Sequence, residues 1–234
     1  IAANIDQVLI TISVVNPTLK PSLVDRYIIS SEKGNMLPIV VVNKTDLINE
    51  ATAEEREQYD TFRREYSKAG ATIVAVSAVT GEGLDALRSV LDIPVVSPGK
   101  LSMTFAMTLG SKFGMLAQWE PALIRTQKFV KALGLESFCA AIESYDSPPD
   151  YKNLLAGKED KTLPKMKAAC ERAIDKGADV ICLGSTTMYQ AAEYLNAELS
   201  VPVINPGALT YKTVETLLAL GISHSRRPYP KPLK

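Results

Sequence analysis

The sequence predicts an α/β fold of parallel sheets flanked by helices, and two observations carry that prediction. Short β-branched runs alternate with amphipathic stretches from one end of the chain to the other, as strand-helix-strand units do. Nearly every strand candidate is also a continuous apolar run, which implies burial on both faces, as parallel strands between helix layers require.

The strands expected, in order, are 8–15, 39–43, 72–77, 93–96, 113–117, 138–143, 180–184 and 201–204. Each is rich in Val, Ile, Leu or Phe and short enough to be a strand. Between them the helices carry punctuation. Thr52 followed by Glu55 is a capping box for a charged helix that ends near Gly70, where glycine can take the left-handed conformation. Further helices are expected at 83–90, 101–109, 121–133, 163–176, 188–199 and 209–220. The stretch 145–160, with Pro148-Pro149 and Gly157, is irregular and of a length that usually serves a function. The alternation as a whole is Rossmann-like or flavodoxin-like.

At 234 residues and 46% hydrophobic content, the chain can bury a substantial core. Lys plus Arg and Asp plus Glu number 26 each, so no net charge draws it to nucleic acid or an anionic membrane, and neither partner is expected. Its three cysteines, Cys139, Cys170 and Cys182, are odd in number and widely spaced, which argues against a disulfide framework or a metal site and for a cytoplasmic location. No run reaches membrane-spanning length and the first residues lack the form of a signal peptide. The chain starts at Ile1 rather than methionine, as a segment from inside a longer parent would. No cofactor is expected, and the sequence leaves the oligomeric state open.

One local motif is chemically specific. The run Pro38 to Val42 leads directly into Asn43-Lys44-Thr45-Asp46, at a strand's carboxyl end, where open α/β sheets bind ligands. An aspartate there can accept from both the ring N–H and the exocyclic amine of guanine, whereas adenine offers no such pair of donors. Asn43 supports the loop, Lys44 can lie across the base, and the N–H groups of Ser77-Ala78 could meet the guanine carbonyl. As a tetrapeptide the motif is equally an ordinary turn. The downstream run Ser77 to Leu84, also following an apolar strand, supports the guanine-binding assignment of Asn43, Lys44, Asp46, Ser77 and Ala78.

Residues 1 to 91, on Ile1 to Ile10, Asp25-Arg26-Tyr27 and these two motifs, resemble the circularly permuted ribosome-assembly GTPases, in which base recognition precedes the phosphate loop. The resemblance implies that Gly-x-x-x-x-Gly-Lys-Ser/Thr should follow. Instead the chain reads Asp92 to Ser102, where Gly99-Lys100 lacks the upstream glycine and the hydroxyl after lysine. The phosphate cradle and its Mg²⁺-binding hydroxyl are therefore missing, so GTP hydrolysis is not expected. That family's zinc-binding tail and RNA-binding amino-terminal domain have no counterpart in this sequence either.

From Asp92 onward the chain resembles the aspartate/glutamate/hydantoin racemases, on Ile93 to Gly99, Leu109 to Gly114, Gly177 to Met188, Val201 to Pro206 and Leu220 to Ser223. The resemblance implies a substrate held between two lobes, with one thiol from each exchanging a proton. Here Ser185 stands where the second thiol would follow Leu-Gly, and no cysteine precedes Cys139. A hydroxyl is a much poorer base than a thiolate, so two-thiol racemisation is not expected. Ser185, Thr186 and Thr187 remain candidates to hold a carboxylate or phosphate at the following helix, or simply to cap it. Cys182 is expected in the core. His224 is expected at the surface, Arg226, Arg227, Lys231 and Lys234 in a solvated tail, and Trp119 under a helix.

Together the resemblances imply two lobes, 1–91 and 92–234, with the last helix packing back on the first. They point to an engineered or recombined chimera without a complete active site that binds a guanine nucleotide weakly at most. The competing reading is a racemase-related isomerase or lyase that takes a small carboxylate or hydantoin and uses Ser185 as the catalytic group, or Thr186, under a loop at 145–160.

Overall fold

A computed structural model of the chain describes residues 6–148 and 159–231. It contains two separate parallel sheets, one of three strands and one of four. The chain divides into a first unit, Ile1–Ile93 with Ser223–Lys234, and a second, Pro94–Ile222.

In the first unit the sheet order is β1 (Gln7–Ser13), β2 (Leu37–Asn43), β3 (Thr72–Ala75). Only β2 is central, and its Ile39 to Val42 are all buried, whereas the edge strand β1 leaves Leu9 exposed. The two faces of the sheet bury different residues because side chains alternate along a strand. Ile10, Val40 and Val42 pack with Val24 of α1 (Pro21–Lys33) and with Tyr59 and Phe62 of α2 (Ala53–Lys68). Ile39, Val41 and Val74 pack on the other side with Leu84 and Leu87 of α3 (Leu84–Val90). Burying a side chain such as Phe62 contributes roughly 1.5–3 kcal/mol.

The expected capping box of α2 is present: Glu55 N donates to Thr52 Oγ1 at 3.2 Å, and Thr52 N donates back to the Glu55 carboxylate at 2.9 Å. The helix ends into Gly70, at φ +84°. Helix α1 lies in a stretch the sequence left unassigned. Its signals were Pro21 in the first turn and Gly34 after the end, but its apolar pattern is weak because Leu23, Tyr27 and Ile29 stay exposed.

The second unit is a layer of strands between two layers of helices, with strand order β5 (Cys139–Ser144), β4 (Phe113–Ala117), β6 (Val180–Leu183), β7 (Val203–Ile204). Both central strands, β4 and β6, are buried throughout. On one face Leu116, Ile181 and Leu183 pack with α6 (Glu159–Asp175) and α7 (Ala191–Glu198). On the other, Met115, Val180 and Cys182 meet Met103 of α4 (Pro98–Ala106) and Val130 of α5 (Glu120–Ala132). The last helix, α8 (Pro206–Ala219), packs against α4.

Several expectations are corrected. Residues 93–96 form no strand, since Pro94 has no N–H to give a ladder. The helix expected from 188 is a 3₁₀ turn, Thr186–Met188, followed by α7. Helix α8 belongs to the second unit, and it is the segment after it, from Ser223, that belongs to the first. Most of the irregular stretch at 145–160 lies outside the described residues.

Candidate functional site

The strand order of the second unit puts a topological switch between β4 and β6: the chain leaves β4 toward β5 and returns to the opposite side for β6. Crevices at the carboxyl ends of strands flanking such a point are where open α/β sheets take ligands. Gly184, just past β6, donates its N–H to Leu116 O at 2.9 Å, and a Cβ there would sit 2.4 Å from that same oxygen. Glycine is therefore required where β6 turns out of the sheet into Ser185-Thr186-Thr187.

A cleft of about 590 Å³ opens at this end of the sheet. Thr186 and Tyr189 line it from the segment after β6, while Asn205, Gly207, Ala208, Thr210 and Tyr211 line it from the start of α8, with Pro98 of α4. Tyr189 and Tyr211 are 58% and 77% exposed.

The polar groups around the cleft are largely engaged with one another. Ser185 Oγ accepts from Thr187 N at 3.2 Å and shares a hydrogen bond with Thr187 Oγ1 at 2.9 Å. The Ser185 carbonyl also takes Met188 N. At α8, Asn205 Oδ1 accepts from Gly207 N at 3.0 Å and Ala208 N at 3.3 Å. Of the three residues expected to cradle an anion, Ser185 and Thr187 thus spend much of their capacity on capping their own turn, as an N-cap does, while Thr186 lines the cleft. Asn205, Tyr189 and Tyr211 were not singled out from the sequence; the one available signal was Asn205-Pro206, a cap residue followed by proline.

Among the described residues, no thiol lines the cleft. Cys182 is buried on β6 and Cys170 is buried in α6, and burial pushes each up to about 12. Cys139 starts β5, at the opposite end of its strand from the cleft, and is also raised by burial. Trp119, half-buried, stands at the N-cap of α5.

The guanine motif lies wholly in the first unit and forms a closed loop. Lys44 adopts φ +63°, and Asn43 Oδ1 accepts from Lys44 N at 2.7 Å and Ala78 N at 3.0 Å. Ser77 Oγ donates to Asp46 Oδ1 at 2.6 Å and accepts from Thr80 N at 3.0 Å. The Lys44 ammonium reaches the Asn16 carbonyl. All five expected residues are therefore engaged, Lys44 and Ala78 with Asn43 and Asp46 with Ser77. The role expected of the Ser77 and Ala78 N–H groups is corrected: Ser77 N is bonded to Glu82 O and Ala78 N to Asn43, so neither points out as a free donor. Thr45 Oγ1 is buried without a partner among the described residues.

The tail is likewise corrected. His224 is half-buried, with Nε2 2.6 Å from Arg88 O. Arg226 binds the carboxyl end of α3 rather than solvent, and Lys231 pairs with Asp92. Lys234 lies outside the described residues. Among the described residues no cluster of three metal-ligating side chains exists, and no helix is long and apolar enough to cross a membrane.

A profile described as Asp/Glu/hydantoin racemase matches residues 36–214. It begins inside the first unit, well before the position where the racemase resemblance was read from the sequence. Among solved structures, the allantoin racemase from Klebsiella pneumoniae superposes with a TM-score of 0.60 at 22% identity, over 92% of this chain and 73% of that one. The allantoin racemase from Pseudomonas fluorescens gives 0.58 at 19% identity, over 97% of both chains. These likenesses concern the fold: two lobes of parallel sheet flanked by helices. Among curated proteins, the small ribosomal subunit biogenesis GTPase RsgA of Vibrio cholerae is 43% identical over 84 residues, 36% of this chain and 21% of the relative. Its counterpart in Bacillus cereus is 29% identical over 133 residues, 56% of this chain and 42% of the relative. The chain thus matches less than half the length of these GTPases.

Proposed function

The chain belongs to the Asp/Glu/hydantoin racemase family, and from that premise we propose that its second unit binds a small carboxylate or a hydantoin-type ring without carrying out two-thiol racemisation. The observation that carries this reading is the composition of the cleft beyond β6 and β7. It offers the hydroxyls of Thr186 and Thr210, the Asn205 amide and two tyrosines, and no thiol. A proton at a stereocentre needs a base whose pKa is near the working pH. Ser185 and Thr186 offer neutral hydroxyls, and the buried cysteines hold their protons at neutral pH. Ser185 and Thr186 remain the groups closest in kind to those of a one-base isomerase or lyase.

The reading includes the chain's origin as a recombined chimera, in which GTPase-derived strand-helix units stand in for the first lobe of a racemase. What supports it is the coexistence of the racemase family match with the 43% identity to a GTPase over a limited stretch.

Solvent deuterium exchange tests the catalytic part. Incubation in D₂O with aspartate, glutamate and 5-substituted hydantoins should exchange the stereocentre proton no faster than in buffer without protein, while calorimetric titration of the same panel should register binding. Exchange that disappears in Ser185→Ala or Thr186→Val would overturn the claim and make the chain an isomerase.

A second reading is favoured by the closed loop of the first unit. Asp46 keeps one carboxylate oxygen beyond its bond to Ser77, enough for a weak preference for guanine. Without phosphate contacts such binding is weak. Titration with guanosine, GDP and adenosine distinguishes the outcomes: equal heats for guanosine and adenosine would end this reading, and tight GDP binding would reveal a phosphate site elsewhere.

A further inference from the structure

We propose that the chain self-associates as a two-fold dimer through the open edge of β1 in the first unit, two copies pairing antiparallel so that their three-stranded sheets become one of six strands.

Among the described residues, β1 pairs only with β2. Leu37 N donates to Asp6 O and Val14 N donates to Asn43 O. The even-numbered residues of β1 therefore turn their backbone groups inward, and Gln7, Leu9, Thr11 and Ser13 turn theirs outward, as the geometry of a parallel pair requires. An unpaired row of that kind is a template for another strand unless it is short or charged. The other sheet edges are guarded in those ways. β3 and β7 have four and two residues, and β5 carries Glu143, engaged by Lys176 and Arg172. β1 has seven residues, none of them charged and none a proline.

The shoulders of this edge are apolar on both faces. Leu9 and Leu37 lie exposed on the face where α3 covers only β2 and β3. On the other face, Val24 and Ile28 of α1 turn to the sheet and Asp25 turns to Tyr66 of α2. At about 100° per residue, Leu23 and Tyr27 fall on the flank away from α2, above the β1 edge, where they are 42% and 51% exposed.

A second copy fits this edge in register, area and charge. With the axis at Ile10, Gln7 faces Ser13 of the second copy and Leu9 faces its Thr11, so all four outward residues of each chain exchange backbone bonds in antiparallel pairs. Val8 then opposes Ile12 on the helix-covered face, a cross-strand pair of β-branched residues. The two α1 helices come to lie on the order of 10 Å apart, one strand spacing on each side of the axis, which is close to the separation of packed helices. Leu23 and Tyr27 fill that gap. Seven residues give a strip about 23 Å long and roughly 20 Å deep through strand and helix. Over both copies that is about 1,000 Å², the lower bound for a specific interface, and it suits a dimer of micromolar strength. None of the residues named in the strip is ionised, so a copy of itself meets no repulsion, whereas a basic or acidic partner gains no attraction.

Sedimentation velocity of the full chain, from micromolar to near-millimolar concentration, tests this for the parent and for Thr11→Pro, Leu9→Lys, Tyr27→Glu and Leu220→Lys. The parent should shift from 25.4 kDa toward twice that mass as concentration rises. Thr11→Pro removes an outward N–H and leaves the bonds to β2 intact, while Leu9→Lys and Tyr27→Glu place charge at exposed positions. Circular dichroism should therefore report an unchanged fold, and each of the three should weaken the dimer by at least about tenfold. Leu220→Lys, at an exposed apolar position of the second unit, should leave it unchanged. Residue-resolved hydrogen exchange should show the amides of Gln7, Leu9, Thr11 and Ser13 gaining protection as concentration rises. A monomer throughout the range, a dimer indifferent to all three edge variants, or an equal loss in Leu220→Lys would each overturn the proposal. So would protection of these amides in the monomer, since the chain would then cover its own edge.

Discussion

Arg226 caps Leu91 from 135 residues away: its guanidinium donates to the Leu91 carbonyl at 2.5 Å, and also to Ser89 O at 3.1 Å and Asp92 Oδ1 at 3.0 Å. Those carbonyls close α3, where a helix leaves its last acceptors unpaired and a cation is favoured. His224 adds a bond to Arg88 O, and Arg88 stacks over Tyr229. Arg226→Ala should therefore lower the stability of the first unit by about 1.5–3 kcal/mol, the range for hydrogen bonds to a charged group. Denaturant unfolding checks the magnitude. Hydrogen exchange should accelerate in α3 and leave the strands of the second unit unchanged; uniform acceleration would contradict the local role.

The guanine-type loop offers a test by removal of an unsatisfied group. Thr45 Oγ1 is buried without a partner among the described residues, so Thr45→Val keeps the shape and discards a desolvated hydroxyl. Stability should be unchanged or raised by up to about 1 kcal/mol. Asn43→Ala should do the opposite, because it strips the acceptor from Lys44 N and Ala78 N together; a loss of about 1–3 kcal/mol is expected on thermal or chemical unfolding.

Gly184→Ala should be among the most disruptive single-methyl changes in the second unit. The added Cβ meets a backbone oxygen of a buried central strand at 2.4 Å, and neither partner can rotate away. A cost of about 2–3 kcal/mol is expected, read by unfolding, with loss of ligand heat as β6 shifts relative to β4.

The acid limb of stability should depend on Glu143 and Asp179. Burial alone would push Glu143 up, but hydrogen bonds from Lys176 and Arg172, at 2.6 and 2.9 Å, outweigh it and hold the carboxyl below its ordinary value. Asp179 is lowered chiefly by the N–H of Ser111, against burial, with further help from Lys112. A carboxyl depressed in the folded state contributes stability above its unfolded pKa and loses it as pH falls through the folded one. Stability should thus be flat near neutrality and decline below about pH 4, the ordinary carboxylate range. Glu143→Gln and Asp179→Asn should each flatten that decline; unchanged acid curves in both would refute the assignment.

Thiol labelling checks the absence of a working thiolate. In the native chain at neutral pH, iodoacetamide should leave Cys170 and Cys182 unmodified over a time that fully labels the unfolded chain, with Cys139 slow. Rapid native labelling of Cys182, read by peptide mass spectrometry, would place a reactive thiol where the structure has a core residue.

Much of the fold was legible because its signals are local. The continuous apolar runs at 39–43, 113–117 and 180–184 correspond to the central strands β2, β4 and β6, which are buried on both faces. The Thr52 and Glu55 cap and the glycine after α2 were equally plain. The run at 93–96 carried the same apolar signal but found no partner strand, and α1 was hidden because much of its apolar surface is not buried.

By itself, then, the sequence determined the parallel α/β character, the guanine-type motif and the lack of a paired thiol, since each depends on residue type and short spacing, whereas the division into two separate sheets came from the structure. Only the tertiary structure decided which polar groups are engaged. Ser185 turns to Thr187, Asn205 to the first N–H groups of α8, Ala78 to Asn43, and Arg226 to the end of α3. A hydrogen-bonding group can be named from its residue, but whether a ligand can use it depends on the partners that folding has already brought to it.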